Sequence, residues 1–220
     1  MLSAASSSVL IVIAYRWINP PYTWLMVERY FLGEGTRFEP TKQDWTPIDS
    51  ISSHMVLAVV AAEDNLFLSH WGFDFKSMKE ARDEMLSGKR VRGASTISMQ
   101  VAKNVFLWHG RTWTRKVLEA GFTILTEVFW SKQRIMEIYL NIAELGPAIY
   151  GVEAASQQYF KRSAADLSRN QSALLTSVLP NPLHRNPSKP TQYMRSYQQR
   201  ILKNMRNIEK VDFKKQNAKP

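Results

Sequence analysis

Glu63 is the residue whose position first suggests chemistry. It closes a stretch in which Met55, Val56, Val59 and Val60 recur at helical spacing, so its carboxylate falls at the C-terminal end of a buried helix. Low dielectric and the negative helix pole both oppose ionisation there and push the pKa upward. A general base or acid needs such a group, although an exposed helix-end cap would leave the same trace. A second feature lies between Glu84 and Glu119. That interval has no acidic residue but holds Lys89, Arg90, Arg92, Lys103, Arg111, Arg115 and Lys116. These seven unopposed cations point to an anionic ligand held partly out of water, with a solvated face that merely lacks acids as the competing reading. Other chemistries drop out. With no cysteine there is no disulfide scaffold, zinc ribbon or thiol nucleophile. Gly-rich phosphate loops, H-E-x-x-H, G-x-S-x-G, S-x-x-K and K-T-G are absent. His54, His70, His109 and His184 lack metal-ligand spacing and read as structural.

Around these residues the chain carries ordered motifs. Glu63 to Asp74 reads EDNLFLSHWGFD, Arg92 to Leu107 reads RGASTISMQVAKNVFL, and Arg115 to Glu119 reads RKVLE. Lys132 to Asn141 reads KQRIMEIYLN, Gly151 to Phe160 reads GVEAASQQYF, and Leu179 to Pro182 reads LPNP. In type and order these resemble the blocks of the peptidoglycan glycosyltransferases (family 51), the lysozyme-like enzymes that polymerise lipid II. The R-G-A-S-T-I run, the Trp-rich FLWHGRTW and a lone domain behind an apolar N-terminus are most similar to the monofunctional biosynthetic branch. Three positions depart from the pattern. Ala94 replaces a second Gly, Met99 stands where the first Gln of a pair is usual, and Gln171 where Glu is common.

The resemblance implies a disaccharide transferred from an undecaprenyl-diphosphate donor to the 4-hydroxyl of a GlcNAc on lipid II, with inversion. Glu63 would be the general base. Lys103, Arg111, Arg115 and Lys116 would neutralise the diphosphate, and the helix N-terminus at Ser95 and Thr96 would add N–H groups suited to an anion. Asp64, His70, Gln100 and Asn104 carry over as residues that shape the site, and Glu119 as the second carboxylate. Two roles stay open for Glu119: orienting the cations, or holding a divalent ion (Mg or Mn) against the diphosphate. No cofactor is required by the chemistry, and Glu137 reads as a core brace. The alternative is a lysozyme-like lytic transglycosylase that cleaves glycan strands, but a substrate without diphosphate has no need of the acid-free interval. A basic adaptor for nucleic acid is disfavoured by the motif order, so no nucleic-acid partner is expected. Cell-wall synthesis or division proteins are further candidate partners.

The elements that must position these residues read as helices. Ser52 or Ser53 caps the helix ending at Glu63, Asp74 caps one through Leu86, and Ser95 or Thr96 opens the next. A longer helix runs from about Thr114 to Trp130, Ser131 caps another, and three follow near Val152–Phe160, Asn170–Leu179 and Thr191–Ile208. No run alternates with period two for long, so the class is mainly α, a lysozyme-like domain. Tyr139, Leu140 and Ile142 read as ordinary core. Residues 1–27, uncharged to Tyr15 and then aromatic at Trp17, Tyr22 and Trp24, read as a membrane anchor with an interfacial belt. Residues 28–49 read as a linker, 50–208 as the glycosyltransferase domain and 209–220 as a basic tail. Of the net charge of +10, a surplus of eight falls in residues 183–220. The expected location is the bacterial inner membrane, single-pass, with the domain on the periplasmic side and membrane lipid as a partner.

Overall fold

Hydroxyl and carboxylate caps written into the sequence set where the helices begin. The structure, a computed structural model, describes residues 2–32, 42–88, 93–108, 110, 112–208 and 210–214. Helix α3 spans Ser53–Glu63 and is capped by Ser52; α4, Phe75–Leu86, is capped by Asp74; α5, Ile97–Phe106, by Thr96. Helix α6 covers Trp113–Phe129 behind Thr112, and α7 covers Lys132–Ile142 behind Ser131. Helix α8, Val152–Phe160, starts at Gly151; α9, Arg169–Thr176, at Ser168; and α10, Gln192–Asn207, at Thr191. Except at Gly151, the cap side chain accepts a backbone N–H of the first turn, each such bond being worth about 1 kcal/mol. At α9 Gln171 completes a capping box with Ser168, so the Gln found where Glu is common still serves the helix start.

Helix α7 is the axis of the core. Ile135, Met136, Ile138, Tyr139, Leu140 and Ile142 are all buried, which leaves the helix with almost no solvent face. Helix α5 packs on α6 and α7, while α3 packs on α9 and α10. A small sheet was not foreseen: β1 (Lys42–Gln43) runs parallel to β3 (Ile149–Tyr150), and β2 (Glu144–Gly146) pairs antiparallel with β3. Its strands are two or three residues long, too short to show a period of two. Gly151 follows at φ +82°, where an added Cβ would lie 2.7 Å from the carbonyl oxygen of Asn141, so only glycine fits the passage into α8. Glu137 braces the core as expected, accepting from the Ile48 amide at 3.1 Å and pairing with Arg134.

The front of the chain differs from a simple anchor followed by a linker. Helix α1 is Leu2–Ala14 and α2 is Trp24–Leu32. Thirteen residues rise about 20 Å, against roughly 30 Å of bilayer hydrocarbon. Among the described residues no helix is long and apolar enough to cross a membrane. Instead the end of α1 is docked on the domain. Trp130 Nε1 donates to the Val12 carbonyl at 2.7 Å, and the Arg134 guanidinium donates to the carbonyls of Tyr15 and Ile18. A cation thus satisfies carbonyls left open at the helix C-terminus. Helix α2, which straddles the segments read as anchor and linker, packs on α5 and sends Arg29 to Glu144 in a two-pronged ion pair at 3.1 Å.

Candidate active site

The Glu63 carboxylate sits where α3 ends against α5. Glu63 is half-buried, and its Oε2 accepts from Gln100 Nε2 at 2.9 Å. Desolvation raises its pKa above the ordinary carboxylate range; the Gln100 hydrogen bond opposes that, Asp64 adds to it, and Lys103 opposes it. Gln100 is held in turn from α7, whose Tyr139 hydroxyl donates to Gln100 Oε1 at 3.2 Å.

Asp64, next in sequence, turns the other way. It is buried and accepts the Ile97 amide at 3.0 Å, and its two oxygens also meet His70 Nε2 at 2.9 and 3.1 Å. Asp64 and His70 therefore join the end of α3 to the start of α5. At the helix start where Ser95 and Thr96 were expected to offer N–H groups to an anion, two of the first-turn amides are engaged within the protein. The Ile97 amide is taken by Asp64, the Met99 amide by Thr96 Oγ1, and the Thr96 hydroxyl donates to the Gly72 carbonyl at 2.6 Å. The anion favoured by that dipole is a carboxylate of the protein itself. Ser95 stays exposed at the rim. Gly72 allows the approach: at φ +77°, a Cβ there would come within 2.7 Å of Thr123 Cγ2.

The cations come from α5 and α6. Lys103 lies three residues beyond Gln100, close enough for its charge to act on Glu63, with half-buried Asn104 beside it. Burial depresses the Lys103 pKa; Glu119 pulls it back up, and Arg115, Lys116 and Arg29 push it further down. Arg115 and Lys116 each pair with one oxygen of Glu119, which is almost fully buried, and Arg115 Nε also donates to the Gly110 carbonyl at 2.6 Å. Three cations thus face one carboxylate, a surplus of positive charge suited to a diphosphate. Of the two roles open for Glu119, the geometry matches orientation of the cations. Both its oxygens are engaged, and among the described residues no three His, Cys, Asp or Glu side chains converge to hold a metal. Arg111 lies outside the described residues, as do Lys89, Arg90 and Arg92.

Beside Glu63 a cleft of about 330 Å³ runs between the α3 end and α4, lined by Glu63, Asp64, Asp74, Glu80, Ser95 and Thr96 among others. A larger cavity, about 750 Å³, lies at the other end of α3 around His54 and Phe213 and contains none of the site residues. Met99 does not face the cleft. It is buried, so the missing amide at that position removes nothing from the site's surface. The sequence reading missed Tyr139 and Arg29 as neighbours of the site. Arg29 lies 74 residues before Lys103 on a segment taken for linker, and Tyr139 carries the spacing of plain core.

A family model described as Transglycosylase matches residues 32–206. The chain is 50% identical over 188 residues to the biosynthetic peptidoglycan transglycosylase of Rhodospirillum centenum (strain ATCC 51521 / SW), spanning 86% of this chain and 80% of that one. It is 48% identical over 200 residues to the protein of the same name from Pseudomonas entomophila (strain L48), spanning 89% and 84%. With the one from Pasteurella multocida (strain Pm70) identity is 45% over 196 residues, spanning 88% and 80%.

Proposed function

The chain belongs to the transglycosylase family and is a peptidoglycan glycosyltransferase, and from that premise we propose that it polymerises lipid II with Glu63 as the general base. The observation that carries this reading is a desolvated carboxylate at the end of α3 and a surplus of cations from α5 and α6, with α5 between them. Gln100 holds Glu63, and Lys103, three residues on, stands with Arg115 and Lys116.

In the proposed step the GlcNAc 4-hydroxyl oxygen of lipid II attacks the anomeric carbon of the donor sugar from the face opposite its diphosphate. The new C–O bond forms as the bond to the diphosphate oxygen breaks, which inverts the centre. The hydroxyl proton passes to Glu63, whose raised pKa makes it a stronger base than an ordinary carboxylate, and is later lost to water. Undecaprenyl diphosphate leaves without protonation because Lys103, Arg115 and Lys116 offset its developing charge. Glu119 keeps Arg115 and Lys116 in place. A glycan-cleaving reaction would use the carboxylate but leave the cations without a partner.

Glu63→Gln keeps the shape and removes the base. We expect polymerisation of fluorescent lipid II, read as a ladder on a gel, to fall by about 10²- to 10⁴-fold. A full ladder from this variant would show that Glu63 is not the base. Release of fragments from isolated sacculi by the wild-type protein would favour cleavage instead.

The same reading sets the domain at the periplasmic face of the inner membrane, anchored through its N-terminal segment. Helix α1 is uncharged, and one face of α6 leaves Trp113, Val117, Ile124 and Val128 exposed, apolar area suited to lipid. Deleting residues 1–27 should lower activity on membrane-embedded lipid II more than on a short-chain soluble analogue. Equal loss on both would argue against the anchor.

A further inference from the structure

Tyr139 is 2% exposed on the most buried helix of the protein. A phenol that only filled space there would be better replaced by phenylalanine, because a buried hydroxyl without a partner is costly. Its hydroxyl does have a partner: among the described residues it donates to Gln100 Oε1 at 3.2 Å. The same amide donates from Nε2 to Glu63 Oε2 at 2.9 Å. The two bonds link three helices, α7, α5 and α3, end to end.

We infer that Tyr139 is a positioning residue for the base: its hydroxyl fixes the Gln100 amide so that the N–H, and not the carbonyl, meets Glu63. This rests on Glu63 acting as the base. The two ends of a glutamine amide have nearly the same shape but opposite polarity. Turned by half a revolution, the amide would set its carbonyl oxygen against the carboxylate and repel it. The ionised carboxylate can only accept, so it demands the N–H, and a hydroxyl donating to the amide oxygen holds the side chain in that orientation. Burial, Glu63 and Asp64 all hold the Tyr139 phenol protonated well above its usual range, so it remains a donor throughout the working pH. Among the described residues, the other charged or titratable groups facing Glu63 are Asp64 on its own side, Lys103 from α5 and Tyr197 from α10, and of these none hydrogen-bonds the amide oxygen of Gln100.

The sign of the effect follows. The amide N–H favours the ionised carboxylate, and only that form is a base. Without the Tyr139 hydroxyl the N–H is no longer held on Glu63, the carboxyl pKa rises further, and the ionised fraction falls at a given pH. In the full chain assayed with fluorescent lipid II, Tyr139→Phe should lower kcat about tenfold with little change in KM, and move the acidic limb of the kcat profile to higher pH. In a Gln100→Ala background the same substitution should have no further effect on the limb. Ile138→Val, a neighbouring core change without a link to Gln100, should lower the melting temperature and leave the limb in place. The inference is overturned if the limb of Tyr139→Phe matches wild type. It is also overturned if the shift persists in the Gln100→Ala background, or if Ile138→Val reproduces it. Failure of Glu63→Gln to impair polymerisation would instead remove the base itself, which separates the two ideas.

Discussion

The two ends of the proposed site are built differently. At the base end, Glu63, Asp64, Gln100 and Tyr139 come from three helices and meet through contacts between residues 33 to 39 positions apart. At the cation end, Arg115, Lys116 and Glu119 sit on one helix and pair at spacings of three and four. The base end can therefore be disturbed from anywhere in the core, whereas the cation end carries its own scaffold. A base needs an exact environment for its proton, so it is tied to the core; a diphosphate needs charge in roughly the right place, which one helix turn supplies.

Asp64→Ala is the strongest way to break this contrast. It strips the Ile97 amide and His70 of a buried partner at once. Loss of one member of a buried pair costs roughly 3 kcal/mol or more, which for a chain of this size lowers the melting temperature on the order of 10 °C. Activity should fall with it as α5 shifts away from Glu63. A melting temperature equal to wild type in calorimetry would show that the base end is not tied to the fold in this way.

Glu119→Gln sharpens the contrast from the other side. Shape and one oxygen acceptor are kept, but the charge that gathers Arg115 and Lys116 is removed. Because Gln keeps the shape and an acceptor oxygen for Arg115, and Lys116 is 40% exposed, the expected stability loss is smaller than that of Asp64→Ala. Polymerisation should still drop about tenfold, through weaker hold on the diphosphate. If Glu119→Gln destabilised the protein as much as Asp64→Ala, the two ends would not differ as described.

The same contrast explains what could be read from the chain. Helix starts at Asp74, Ser131 and Thr191 were legible because a cap bonds within its own first turn, and the structure chose Ser52 over Ser53 and Thr96 over Ser95. The fourth helix began slightly earlier than expected, Thr112 capping it ahead of Trp113. The sheet escaped notice because two-residue strands carry no periodic signal. Nothing local to Ser95 and Thr96 reveals that Asp64, over thirty positions earlier, accepts the Ile97 amide of that helix start. The apolar front of the chain was legible as apolar, but the docking of α1 through Trp130 and Arg134 spans well over a hundred residues and leaves no pattern.

By itself the sequence determined the helical class, most of the caps and the cation run. Each depends on neighbours within about one turn, where the 3.6-residue period dictates who meets whom. Only the tertiary structure decided that Glu63 meets Gln100, that Tyr139 stands behind that amide, that Asp64 occupies the start of α5, and that Met99 faces inward. Those outcomes depend on how separate helices pack, and side-chain spacing along a single helix does not specify which partner lies across the core.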